Sequence, residues 1–428
     1  MRRALRSTAA LAASLVALAA VAPAQSRKDD GCWVCGNDPE LMARAGLVNH
    51  GPFVFFESDS RELTDHLGLM KVVWLESEHF RIGLDLKPWR IPVSEKKAYR
   101  AELAELAETF PAIVPRKVST LDRWLRIHLY AHRLERLYDD LQKTFGVTEE
   151  QFALLPPEET FVGAVEKGWQ SVLEADYLER PPRPKGWPQW LGMGRYMGMP
   201  MKYEVLLLQY GADMERLKRD YIGRQDPHPQ RWHVTWRVDV GEPKSRSMWF
   251  GVAAESEKIR HDQHMHNAVI HNVSINVLDG FMLYLVESPV WLRVGLAHWF
   301  TQRNDPRFNF YDLDEGAAEM DRDESNWPVA VRKLVTKGEA PSFLDLARKR
   351  SFGQLTLEDH LASWSKVDFL YRTRPEEFAR FLFLVKTRAD FSANLDAQRD
   401  QVREAFGWSL PQIEAAWQEW VLATYPVK

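Results

Sequence analysis

The sequence predicts an α+β fold, with a small N-terminal sheet and helices followed by a helix-rich C-terminal part. Three observations carry this. Short runs of alternating apolar residues lie early in the chain, as in Phe80, Ile82 and Leu84. Apolar residues at helical spacing dominate from His261 to the end. Across 428 residues, 45% are hydrophobic and 27% charged, a globular composition that excludes wholesale disorder, collagen and coiled coil. Lys+Arg 56 against Asp+Glu 60 leaves a net charge of -4, without the basic field that a nucleic-acid binder uses.

Taken in order, the chain opens on Arg2, Arg3 and Arg6, followed by small apolar residues from Ala9 to Ala22 and an A-x-A cleavage pattern at Ala22-Pro23-Ala24. This predicts a secretory signal peptide over residues 1–24, cleaved after Ala24, and a periplasmic or secreted protein. The stretch is too short for a stable anchor and no later window is long and apolar enough, so no membrane span is expected. Residues 25–69 form a lead-in bearing Cys32-Trp33-Val34-Cys35, and outside the cytoplasm these two cysteines are expected to form a local disulfide. A redox site would need a surrounding βαβ pattern, and haem attachment would need histidine where Gly36 stands. Zinc would need two further ligands; His50 is a candidate and the sequence shows no second.

Residues 70–188 read as an α+β part. Val72 to Trp74 and His79 to Leu84 are strands, Ala101 to Phe110 is helical, and Leu121 to Phe145 is a longer amphipathic helix stopped by Gly146. Glu158 to Leu178 is a further helix, and the proline-rich run Arg180 to Pro188 marks a boundary. In residues 189–428 a Gly/Met loop comes first, Tyr203 to Gln209 and Trp232 to Val240 read as strands, and the pattern from His261 to the end is mostly helical. Ser409 and Gln412 sign the last helix as a capping box, with Pro411 in its first turn. The 17 Trp are dispersed from Trp33 to Trp420, which suits packing better than a glycan platform.

The most informative segment runs from His261 to Arg303. His261, His264, His266 and His271 fall within eleven residues, and His264, Asn267, His271 and Ser274 share one helical face. The bland reading is a solvated helix start at 261–266 and a core histidine at 271. The segment resembles the gluzincin metallopeptidases, in particular the peptidase-MA-like family of exported proteins. There one helix carries H-E-x-x-H and a second reads roughly W-L-x-E-G-L-A; here stand His271-Asn272-Val273-Ser274-Ile275 and Trp291-Leu292-Arg293-Val294-Gly295-Leu296-Ala297. In layout the resemblance extends over roughly residues 70–428. It implies a zincin-like fold, with His271 as the one retained ligand. The base position is Asn272, whose amide does not accept a proton at neutral pH. Ile275 and Val294 stand at the remaining ligand positions, so no catalytic residue is assigned and no cofactor is expected.

The reading is an exported, catalytically inactive gluzincin-like protein that binds a peptide or a cell-envelope component. The alternative is an active metal-dependent hydrolase with a rebuilt site, in which His264, His271 and His298 hold zinc or another transition metal. A second alternative is a copper binder using Met193, Met197, Met199 and Met201, with packing over apolar surface as the bland reading. His128 and His132, one turn apart on the long helix, offer a further chelating pair.

Overall fold

The computed structural model describes residues 31–56, 58–68, 71–152, 194–199, 201–233, 247–282, 284, 287–316, 326–387 and 394–428. The leader, the helix expected over 158–178, the boundary at 180–188 and Met193 lie outside them.

The fold is mixed α/β. One six-stranded sheet is built from β1 (Leu47–Asn49), β4 (Val73–Ser77), β5 (Phe80–Asp85), β8 (Tyr203–Leu208), β9 (Gln230–His233) and β10 (Met248–Ala253). Their order across the sheet is β1-β4-β5-β8-β10-β9. β5, β8 and β10 run parallel, with Phe80 beside Tyr203 and Trp249 beside Glu204; β9 closes one edge antiparallel to β10. Two-stranded ribbons join β2 (Val54–Phe55) to β3 (Ser58–Asp59) and β6 (Trp89–Arg90) to β7 (Thr120–Leu121). The six-stranded sheet therefore takes strands from either side of the 180–188 boundary.

Alternation along the strands separates two cores. Leu75, Ile82, Val205, Leu207, Phe250 and Val252 face the main core, while Trp74, Leu206, Leu208 and Trp249 face a smaller one. Gly83 and Gly251 make room on that smaller face. A Cβ at Gly83 would lie 2.5 Å from the Trp74 ring, and one at Gly251 2.3 Å from the Trp249 ring. The smaller core is roofed by α2 (Ser60–Leu67) and α5 (Gly211–Leu217).

On the main face lie α4 (Arg123–Phe145) and α6 (Asp262–Gly280). α4 starts where the Asp122 carboxylate accepts from the N–H groups of Trp124 and Leu125, and ends at Gly146 in the left-handed region (φ 66°). The remainder is helical: α7 (Val290–Asn304), α8 (Trp327–Lys337), α9 (Phe343–Arg348), α10 (Leu357–Thr373), α11 (Pro375–Thr387), α12 (Leu395–Phe406) and α13 (Leu410–Thr424). α7 and α10 approach so closely that a Cβ on Gly295 would lie 2.6 Å from the Ser363 carbonyl oxygen. α13 has the expected capping box, with Ser409 N–H donating to Gln412 Oε1 at 2.8 Å. Short α1 (Pro39–Arg44) and α3 (Lys96–Thr109) complete the N-terminal half. Among the described residues no helix is long and apolar enough to cross a membrane.

Candidate functional site

α6 and α7 bring the sequence-predicted positions together. His271 and Asn272 are fully buried on α6, and the two other positions that would complete a metal site are filled by Ile275 and Val294, also buried. The ring centroids of His271 and His298 lie 4.8 Å apart. His264 goes elsewhere, stacking on Phe308 at 5.4 Å. The helix start is only partly solvated: His261 is exposed, whereas Asp262 and His266 are buried.

The polar face of α6 is covered by the chain's own 305–316 segment. Asn267 Nδ2 donates to the carbonyls of Asp305 and Phe308 at 2.8 and 2.6 Å. A short turn, Leu313–Glu315, brings Glu315 against His271, with Nε2 2.9 Å from Oε2. Arg231 enters from β9. Its Nη1 donates to Asn272 Oδ1 at 2.7 Å, to Glu315 Oε1 at 3.3 Å and to the Asp312 carboxylate at close range. A guanidinium thus supplies the cation among these buried carboxylates.

Burial opposes charge on Glu315, but His271, its hydrogen bond and Arg231 hold that carboxyl well below the ordinary range. Burial pushes Asp312 up to about 7 against the pull of Arg231, with Glu315 adding repulsion. Behind them lies a histidine chain. His360 Nε2 donates to the Glu315 carbonyl at 3.0 Å, so its Nδ1 accepts, and His298 Nε2 donates to it at 2.9 Å. Burial, then the neighbouring His271 and His360, keeps His298 neutral. Sequence reasoning missed Arg231, Asp312, Glu315 and His360.

Beside this centre opens a cavity of about 940 Å³. β9 lines it through Arg231, Trp232 and His233, opposite Asn276, Arg293 and Phe352. The Arg293 guanidinium lies 4.4 Å over the Phe352 ring and pairs with Asp279 at 2.9 Å.

Three groups of side chains among the described residues could hold a metal: Asp312, Asp314 and Glu315; Glu78, His79 and Glu149; and Cys32, Cys35, His50 and His128. The disulfide expected between Cys32 and Cys35 is not formed. Both thiols are free and buried, with Cys35 Sγ 3.1 Å from His50 Nε2 and Cys32 Sγ 3.7 Å from His128 Nε2. His128 and His132 do not act as a pair; His132 turns outward to Glu105 at 3.0 Å. Met197, Met199 and Met201 are all buried, and the first two pack into the main core.

In the second group, His79 Nδ1 lies 2.5 Å from Glu135 Oε2, Nε2 meets Glu149, and the ring stacks on Tyr138 at 3.8 Å. Burial alone would lower its pKa, but the two carboxylates raise it to about 9. The folded state then keeps a proton that the unfolded chain releases near pH 6.5. The contribution is full below about pH 6.5 and is lost as pH rises through about 9. Glu149 is 44% exposed, so solvent screening limits the effect to about 1–2 kcal/mol. Urea unfolding of wild type and His79→Gln should differ by that much at pH 6 and converge above pH 9.5. A gap that does not narrow would sink the assignment.

No known protein family, curated protein or solved structure matches the chain.

Proposed function

We propose that this is an exported, catalytically inactive gluzincin-like protein whose cleft binds a peptide or a cell-envelope component. One observation carries the reading: the Arg231 guanidinium sits among Asn272, Asp312 and Glu315 beside His271, where a catalytic metal would have to be. With Asn272 in place of a carboxylate, the motif's base position cannot take a proton from water, and the nearby Asp312 and Glu315 carboxylates are engaged by Arg231. His271 Nε2 donates to Glu315, so that nitrogen, which faces the carboxylates, has no lone pair for a metal there.

The cavity supports binding. Its volume of about 940 Å³ is at the upper end of the range for ligand pockets. Among the described residues β9 is the outermost strand of the sheet and lines the cavity, so an extended peptide could add to it through main-chain hydrogen bonds. Arg293, its charge paired with Asp279 and Glu287, stacks on Phe352 and gives that wall a polar and aromatic patch for one side chain.

The test is a panel of extended peptides followed by the fluorescence of Trp232, with Trp232→Phe as the control. Binding without cleavage is expected, and Arg293→Glu should weaken it about tenfold, corresponding to about 1.4 kcal/mol. Peptides recovered by mass spectrometry should be intact. Cleavage that disappears in His271→Ala would establish the hydrolase instead. Failure of every peptide, with capture of isolated envelope polymer, would move the ligand to that class.

A further inference from the structure

We infer that Cys32, Cys35, His50 and His128 form a structural zinc site that fastens the N-terminal lead-in to α4. Cys32 and Cys35 come from the turn before α1, His50 from the segment after β1, and His128 from the second turn of α4, 96 residues from Cys32. Two thiolates and two imidazoles are a standard tetrahedral zinc set.

The geometry fits. All four ligand atoms lie within 4.8 Å of one another. Zn–S and Zn–N bonds of about 2.3 and 2.05 Å at tetrahedral angles place sulfur and nitrogen about 3.6 Å apart. The observed Sγ–Nε2 separations are 3.1 Å for Cys35–His50 and 3.7 Å for Cys32–His128.

The surrounding bonds fix both imidazoles in the ligating tautomer. His50 Nδ1 is 3.0 Å from the Trp74 carbonyl and His128 Nδ1 is 2.8 Å from the Trp124 carbonyl. A carbonyl only accepts, so each Nδ1 carries the proton and each Nε2 keeps its lone pair, directed at the sulfurs. A Cys32–Cys35 disulfide would have no hydrogen to give those two acceptors. Zinc satisfies both at once. On binding, each thiol gives up its proton to solvent, and two thiolates neutralise the dication in a buried place.

The site is closed. Cys32, Cys35 and His128 are each 1% exposed, and Trp124 and Phe110 pack edge-on against the two imidazoles. With four protein ligands and no open position, its role is structural. It is independent of the Arg231 centre.

The purified full chain, analysed for metals, should carry about one zinc per molecule. Its two cysteines, the whole complement of the chain, should resist a thiol reagent until a strong chelator is added. Zinc should be lost in Cys35→Ser and in His128→Gln and retained in His271→Ala. Cobalt exchanged into wild type should show thiolate-to-cobalt charge transfer, a readout that does not depend on any variant folding. Three results would each overturn the site. One is a metal-free chain lighter by two hydrogens, which is the disulfide. Another is a chain with two reactive thiols that takes up neither zinc nor cobalt. The third is zinc that survives Cys35→Ser and leaves with His271→Ala.

Discussion

Asp262→Ala is expected to destabilise the protein by about 3–5 kcal/mol, because it leaves buried guanidinium charge without its carboxylate. Asp262 is wholly inaccessible at the first residue of α6. Arg126 Nε reaches Oδ1 at 2.8 Å, Arg133 Nη1 reaches Oδ2 at 2.7 Å, and Tyr99 donates to Oδ2 at 2.9 Å. Burial opposes the charge, yet the two arginines hold the carboxyl far below the ordinary range. Both arginines stand on α4, so this one side chain sets where α6, and with it His271, begins. Arg133 keeps its paired bonds to Glu102, whereas Arg126 keeps only the Lys87 carbonyl, so most of the loss falls on Arg126. The sign with pH is fixed by the depressed pKa. The contribution is present above about pH 3.9 and fades as pH falls towards the folded value, so wild type and variant should converge in strong acid. The measurement is a urea midpoint at pH 7 with the slope unchanged. A difference under about 1 kcal/mol would mean that α4 and α6 are joined by apolar packing alone.

How far the sequence could be read depended on the distance over which each signal acts. α4 and α13 were legible because period, cap and stop lie within one helix. β5 and β8 were legible from their apolar alternation or run, but β10, Met248–Ala253, was missed. Its glycine breaks the run, and that glycine is explained only by the Trp249 ring lying over it. Within the site, His271, Asn272, Ile275 and Val294 were singled out by the resemblance to a two-helix motif, whose residues lie close together in sequence. Glu315 and His360 could not, since they meet His271 and His298 across 44 and 62 positions. Arg231 reaches Asn272 across 41 positions, from an edge strand whose sequence carries no sign of the cavity. The cysteines show the same limit. The C-x-x-C turn is visible as a motif, while His128 reads locally as half of a pair with His132; only tertiary packing turns one imidazole inward and the other out. Carboxylates brought near His271 by a loop are where a reading from helix motifs is weakest, because no period marks them.

Arg231→Ala should be the second costly change and the one that probes the proposed function. Removing the guanidinium leaves Asp312 and Glu315 facing each other in a buried place. The expected loss is about 3 kcal/mol above pH 8, near the low end for a broken buried pair because the arginine side chain is 11% exposed. Asp312 titrates near 7 with the arginine present, and its pKa should rise further without it. In acid its proton removes the repulsion in wild type and variant alike, so the gap should shrink at pH 5. The emptied space then has three carboxylates, from Asp312, Asp314 and Glu315, with His271 beside Glu315. Such an oxygen-rich set suits manganese, which has little affinity for a thiolate site. Manganese should therefore raise the thermal midpoint of Arg231→Ala and leave that of wild type unmoved, as required if the guanidinium takes the metal's place. An equal rise in wild type that persists in His79→Gln, which removes the group of Glu78, His79 and Glu149, would show that the centre already accepts a cation with Arg231 in position, and the inactive reading would fall with it.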